Sequence, residues 1–163
     1  MSDGNRFLLQ RVQPAMVGLI DGSLSTLAPI FAVVLASHDT RYAFIAGLAT
    51  SLGAAISMGF SEALSDTGEL TGRGSPVARG LITGGGTFVG GILHSLPFLI
   101  PAYHVALFFA VAVVGFELLM LAYFRWRFFQ DTFVRALGIV TFAGMIIAGI
   151  SAGLGAVLGT PGG

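Results

Sequence analysis

The 163-residue sequence contains no cysteine, all eight of its basic residues are arginine, and charge of either sign is scarce. Without cysteine there is no disulfide framework and no thiolate metal site, and cysteine usage points to no redox compartment. Charged residues make up 10% of the chain, where a soluble domain carries about 25%. The formal net charge is zero, so bulk charge gives no argument for nucleic acid and no such partner is expected. What fills the sequence is apolar: 55% of residues are hydrophobic and the mean hydropathy is +0.88. Glycine is abundant, at 24 residues. These figures describe an integral membrane protein. The first apolar run is too long for the core of a cleaved signal peptide, and more such runs follow, so it reads as a retained helix.

Apolar runs of about 20 residues predict membrane-spanning helices. Five are expected, over Ala15–Ala36, Tyr42–Leu64, Val77–Ile100, Tyr103–Phe124 and Ala136–Leu158. The predicted fold is therefore an all-α membrane protein: a cytoplasmic segment over 1–14, a five-helix membrane domain over 15–158, and a tail over 159–163. Short connections make consecutive helices antiparallel. Ser75-Pro76 is a good start for the third helix, with serine as cap and proline in the first turn. Leu99-Ile100-Pro101 predicts a sharp turn after it.

The arginines orient the bundle. Arg6, Arg11, Arg73, Arg79, Arg125, Arg127 and Arg135 share one side, and Arg41 lies on the other. The positive-inside rule then puts the N-terminus in the cytoplasm and the C-terminus outside, with Tyr123 and Trp126 in an inner aromatic belt. Gly18/Gly22, Gly80/Gly84, Gly86/Gly90, Gly149/Gly153 and Gly155/Gly159 are each spaced by four. Such faces let helices approach closely, within a chain or between chains.

Three acids fall inside predicted spans: Asp21, Glu62 and Glu117. Each costs roughly 2.5–3.5 kcal/mol at mid-helix on insertion scales, so such acids usually face a bundle interior or an aqueous path. At about 1.5 Å per residue, Asp21 and Met58 both come out about 9 Å from the inner surface, and Glu117 about 10 Å, with Glu62 one turn nearer the cytoplasm. Ser51, Ala55, Met58, Glu62 and Ser65 share one face of the second helix. Ser25 lies one turn from Asp21, and Met120 one turn from Glu117, as accessory candidates. Carboxylates, hydroxyls and a thioether together suit a divalent transition metal, because sulfur is a poor ligand for Mg²⁺ or Ca²⁺. The blander alternatives are methionine as core filler and Glu62 solvated at the interface. His38, Asp39, His94 and His104 fall near the outer side, as an exit site for metal or as interface residues. Pro29 predicts a kink in the first helix, where a freed carbonyl opens the path. The run GLITGGGTFVGG follows no strand and is not a nucleotide loop. No Ser-His-Asp set is present, and an enzyme is the least supported class.

Two motifs carry a family resemblance. Asp21-Gly22-Ser23-Leu24-Ser25-Thr26 resembles the DG-x-x-ST signature of the vacuolar iron transporter family, and GAAISMGFSEALS, Gly53–Ser65, resembles that family's second-helix pattern. STLAPIFA, ISMGFSEALSD, LTGRGSPVARG and HSLPFLIP are similar to the membrane portion of bacterial membrane-bound ferritins, within the same family. The resemblance covers nearly the whole chain. It implies a homodimer of five-helix protomers in the bacterial inner membrane, with no tightly bound cofactor. It also implies proton-coupled export of Fe²⁺ or Mn²⁺ as the transported substrate. Asp21 and Met58 match positions lining the transport path, Glu62 matches its cytoplasmic mouth, and Glu117 belongs more to the membrane-bound-ferritin branch.

There are two departures. Vacuolar members carry a Glu-rich helical extension between the second and third helices, whereas here the loop offers only Asp66 and Glu69 as accessory acids. Membrane-bound ferritins place a ferritin-like domain before the first helix, whereas here about fourteen residues precede it. The expectation is a stand-alone carrier, a partner of a separate ferritin-like iron-binding protein, or an excised domain. The alternative from another class is a non-transporting anchor that recruits such a partner to the bilayer.

Overall fold

The computed structural model describes residues 3–129 and 132–158, and all regular structure among them is helical. Five helices follow in order: α1 (Asp3–Ser37), α2 (Thr40–Ser65), α3 (Pro76–Leu93), α4 (Tyr103–Phe129) and α5 (Phe133–Leu158). Of these, α1, α2, α4 and α5 are long and apolar enough to cross a membrane. The middle helix, α3, is shorter, with 18 residues, six of them glycine. Phe60, Leu81, Phe108, Phe116 and Phe142 stand exposed on the outside of the bundle, an apolar surface that lipid would cover.

α1 starts at Asp3, within the segment expected to precede the first span, and is irregular at two proline-directed points. Over Leu8–Val12 it widens into a π turn, and the Gln13 N–H donates to the Leu8 carbonyl. Pro14 follows directly. It has no N–H, and its ring would clash with the carbonyl four residues back, so a wider turn relieves both problems. The second interruption is at Thr26, between Gln13–Ser25 and Leu27–Ser37. Pro29 has no N–H to donate to the Ser25 carbonyl, and the regular helix is broken at this point. α1 ends at His38 in the left-handed region, with φ 53°. The Asp39 carboxylate then caps α2 by accepting from the Arg41 N–H at 2.8 Å.

Ser75 and Pro76 open α3 as the sequence predicts, with the Ser75 hydroxyl accepting from the Ala78 N–H. Its end is different. α3 was expected to run to Ile100 but stops at Leu93, and Leu96–Leu99 forms a separate 3₁₀ turn. Pro97 is the cause. It has no N–H to give the Leu93 carbonyl, so the chain switches to the tighter bonds Ser95 N–H to Ile92 O and Phe98 N–H to Ser95 O. The Ser95 hydroxyl covers the Gly91 carbonyl at 3.1 Å.

Glycine decides how α3 packs. A Cβ on Gly18 or Gly22 of α1 would overlap the backbone carbonyls of Thr83 and Thr87. From the other side, a Cβ on Gly86 would lie 2.8 Å from the Ala15 carbonyl, and one on Gly90 2.6 Å from that of Leu19. The opposite flank uses Gly84, whose Cβ would lie 2.7 Å from the Ala55 carbonyl of α2. Lipid tails are as apolar as leucine, so helix association in a membrane depends on this close backbone packing. Gly149 and Gly153 serve no such contact, since a Cβ on either would meet nothing within 4 Å. Gly159 lies outside the described residues, as does the 159–163 tail.

Two apolar clusters complete the interior. Ile30, Val34, Ala43, Phe98, Ala106 and Ala110 form one, and Met16, Leu121 and Val140 the other. The two ends of the bundle are distinct. At one, the Gln10 side chain donates to the Gly72 carbonyl at 3.1 Å, and Arg11 lines a recess with Phe124 and Phe128. At the other, the His38 ring packs on Tyr103, and Tyr103 on His104. The start of α1, the α2–α3 loop and the end of α4 therefore share the arginine-rich end.

Candidate functional site: two polar clusters and one unpaired acid

The first polar cluster closes the arginine-rich end. Arg79 lies one turn into α3 and is fully buried. Its Nε donates to Glu62 Oε1 at 2.8 Å, one terminal nitrogen to the Gly74 carbonyl at 3.0 Å, and the other to the Asp66 carbonyl at 3.1 Å. Arg73, from the loop, donates to Glu62 Oε1 at 2.7 Å and to Asp66 Oδ2 at 2.9 Å. Glu62, expected at the mouth of a metal path, is thus held by two guanidinium groups. Partial burial pushes the Asp66 carboxyl up. Hydrogen bonds from Arg73, Thr71 and the Gly68 backbone, with the charge of Arg79, outweigh this and hold it below the usual carboxylate range.

Breaking a buried ion pair from one side is costly because the other charge stays behind. Arg79→Met is therefore expected to destabilise the fold by about 3 kcal/mol, measured by denaturant titration in detergent. A loss under about 0.5 kcal/mol would show that the cluster adds nothing to stability.

The second cluster lies deep in the bundle. His94 Nδ1 is 3.0 Å from Glu117 Oε2, and His94 Nε2 is 2.8 Å from Thr26 Oγ1. All three residues are buried. The helix ends change where two residues stand along their helices. His94 was placed near the outer side because α3 was drawn to Ile100. With α3 ending at Leu93, it sits beside Thr26, about 16 Å along α1 from Ser37. Glu117 was placed about 10 Å from the inner surface because α4 was drawn to Phe124. With α4 reaching Phe129, it is about 18 Å from that end and near the middle of the helix.

Asp21 joins neither cluster. It is half-buried on α1, and Ser25, one turn along, is exposed, as is Val17, one turn back. Among the described residues Asp21 has no hydrogen-bond or ion-pair partner. Met58 is half-buried on α2, one turn before Glu62. Met120, Glu69 and His104 are exposed.

Asp21, Met58 and Glu117 were expected at one level, with Glu62 one turn nearer the cytoplasm, as a metal set. Among the described residues, no three or more His, Asp or Glu side chains are placed to hold a metal ion. Glu62 is turned to arginine and Glu117 to histidine. Three participants went unread in the sequence. Arg73 and Arg79 were counted only as markers of orientation, and Thr26 only as part of a motif. The signal for His94 was present, since Pro97 three residues later ends its helix. No protein-family model, curated protein or solved structure matches this chain.

Proposed function

We propose that the chain is a transporter that exports a divalent transition metal, Fe²⁺ or Mn²⁺, from the cytoplasm in exchange for protons. It works as a homodimer in a bacterial plasma membrane, with its arginine-rich end, and so its N-terminus, in the cytoplasm. Asp21 carries this reading. A carboxylate inside an apolar helix with no partner is expensive, and is retained where it binds a cation or lines an aqueous path. Asp21 also lies on the stripe of α1 that includes exposed Val17 and Ser25. A second copy on that stripe would cover the acid and supply a second carboxylate, giving a cation the ligands that one chain does not assemble. Met58 adds a soft donor suited to Fe²⁺ or Mn²⁺ over Mg²⁺. Glu62, held by Arg73 and Arg79, is the acid within the spans nearest the cytoplasmic end, where metal would enter.

The anchoring alternative draws on one observation: Glu117 is engaged in bonding helices together, as an anchor would use it. It leaves Asp21 without a role. The test is uptake of Fe²⁺, Mn²⁺, Co²⁺ and Zn²⁺ into liposomes holding the purified protein, with and without a pH gradient. Uptake of Fe²⁺ or Mn²⁺ that accelerates with the gradient is expected. No metal flux, together with co-purification of a ferritin-like protein, would replace transport with anchoring.

A further inference from the structure

The Thr26–His94–Glu117 chain has a proton count that can be worked out. Thr26 Oγ1 is 2.8 Å from the Gly22 carbonyl as well as 2.8 Å from His94 Nε2. A hydroxyl has one proton to donate, a carbonyl only accepts, and each imidazole nitrogen either donates or accepts. When Thr26 donates to Gly22, His94 Nε2 must carry a proton and donate to Thr26. One further proton then occupies the contact between His94 Nδ1 and Glu117 Oε2, as imidazolium with carboxylate or as imidazole with carboxylic acid. Either way the pair is neutral. A second arrangement fits the same heavy atoms. Thr26 turns its proton to Nε2, Nδ1–H donates to the Glu117 carboxylate, and the pair carries one negative charge. The two arrangements differ by one proton and one hydroxyl rotation.

Glu117 supplies an independent observation. Its residue is 6% exposed, yet Oε1 is buried with no hydrogen-bond partner. Buried polar atoms are normally satisfied, and an exception asks for an explanation. With Oε1 unpaired, His94 is the one side chain among the described residues that bonds the Glu117 carboxyl. Few other charges act on the site. Asp21 is the remaining titratable side chain on α1 between Arg11 and His38. α2 carries none between Tyr42 and Glu62, α3 none between Arg79 and His94, α4 none from His104 to Tyr123 other than Glu117, and α5 none in its described part beyond Arg135. On α2, the Ser51 hydroxyl lies beside Gly91.

We propose that His94 and Glu117 form a single-proton binding site in the middle of the membrane. Thr26 reverses its hydrogen bond as the site loads and empties. On release, the shared proton settles on Nδ1, the Nε2–H bond breaks and that proton passes to water, Thr26 turns its own proton to the bare Nε2, and the negative charge remains on the carboxylate. On uptake the same steps reverse. That this proton is the one exchanged for metal rests on the transport reading above, but its binding does not. Glu117 is then a proton site, separate from Asp21.

Infrared difference spectra of the protein in liposomes, between acid and alkaline pH, test the site directly. A band that appears on acidification, from the carboxylic acid or from the imidazolium according to where the shared proton lies, and that is missing in E117Q, is expected. T26V should move the midpoint of that band, and T26S should restore it. A band that survives in E117Q, or a midpoint unmoved by T26V, overturns the proposal. In the uptake assay, E117Q should lose the stimulation of Mn²⁺ entry by a pH gradient, and retained stimulation would also overturn the proposal as the exchanged proton. If the wild-type protein moves no metal, the transport reading fails, and the infrared band alone decides the site.

Discussion

Asp21→Ala is expected to lower Mn²⁺ flux by more than about 10-fold, the lower end of the range seen when even outer-shell partners of a metal are removed. The chain itself should fold as before. Asp21 bonds to no described residue, so its removal breaks no contact within the protomer. It also removes an acid that costs roughly 2.5–3.5 kcal/mol in a membrane helix. The substitution is thus expected to leave thermal stability equal or raised while flux collapses. That combination separates a working carboxylate from a structural one, whose loss would lower both. Asp21→Asn keeps the size and removes the charge, and should be nearly as inactive. Undiminished Mn²⁺ flux in both variants would remove Asp21 from the path.

Gly22→Leu should be the most damaging single change to the fold. A Cβ at this position would run into the Thr87 carbonyl and approach the Gly91 nitrogen. These are backbone atoms of a neighbouring helix and have no rotamer in which to step aside. Overpacked cores typically lose 1–3 kcal/mol, and this site should reach at least about 3 kcal/mol because nothing flexible is in the way. Gly149→Leu is the matched control. It adds the same side chain to a membrane helix where a Cβ meets nothing within 4 Å, and it should change stability by less than about 0.5 kcal/mol. Denaturant titration of both variants in one detergent makes the comparison. Equal losses would mean that helix propensity, and not the contact with α3, sets the cost.

Glycine spacing alone made these two positions look alike. Both belong to pairs four apart, and spacing says that a helix has a small face, without saying whether another helix lies on it. The helices themselves were readable because apolar runs and proline obey local rules. Ser75-Pro76 began α3 and Pro29 interrupted α1 for reasons contained in a few neighbouring residues. The end of α3 was misjudged by giving Pro101 the role of Pro97, and that error put His94 inside the helix and not at its end. Depth reckoned along one helix inherits any error in its end, as Glu117 shows on α4. Long-range pairing was not readable at all. Nothing local to Glu62 announces Arg73 and Arg79, and nothing near His94 announces Thr26, 68 residues earlier. Acids and methionine suggested a shared metal set because their types and levels agreed, but whether they converge depends on how each helix is rotated.

The interruption at Thr26 divides α1 between two sets of neighbours. The half before it, carrying Asp21, is locked through Gly18 and Gly22 to α3. The half after it, Leu27–Ser37, lies against α5 and contributes Ile30 and Val34 to the cluster with Phe98. The same residue that forms the joint also holds His94. The interruption of α1 and the buried His94–Glu117 contact therefore meet at a single hydroxyl oxygen.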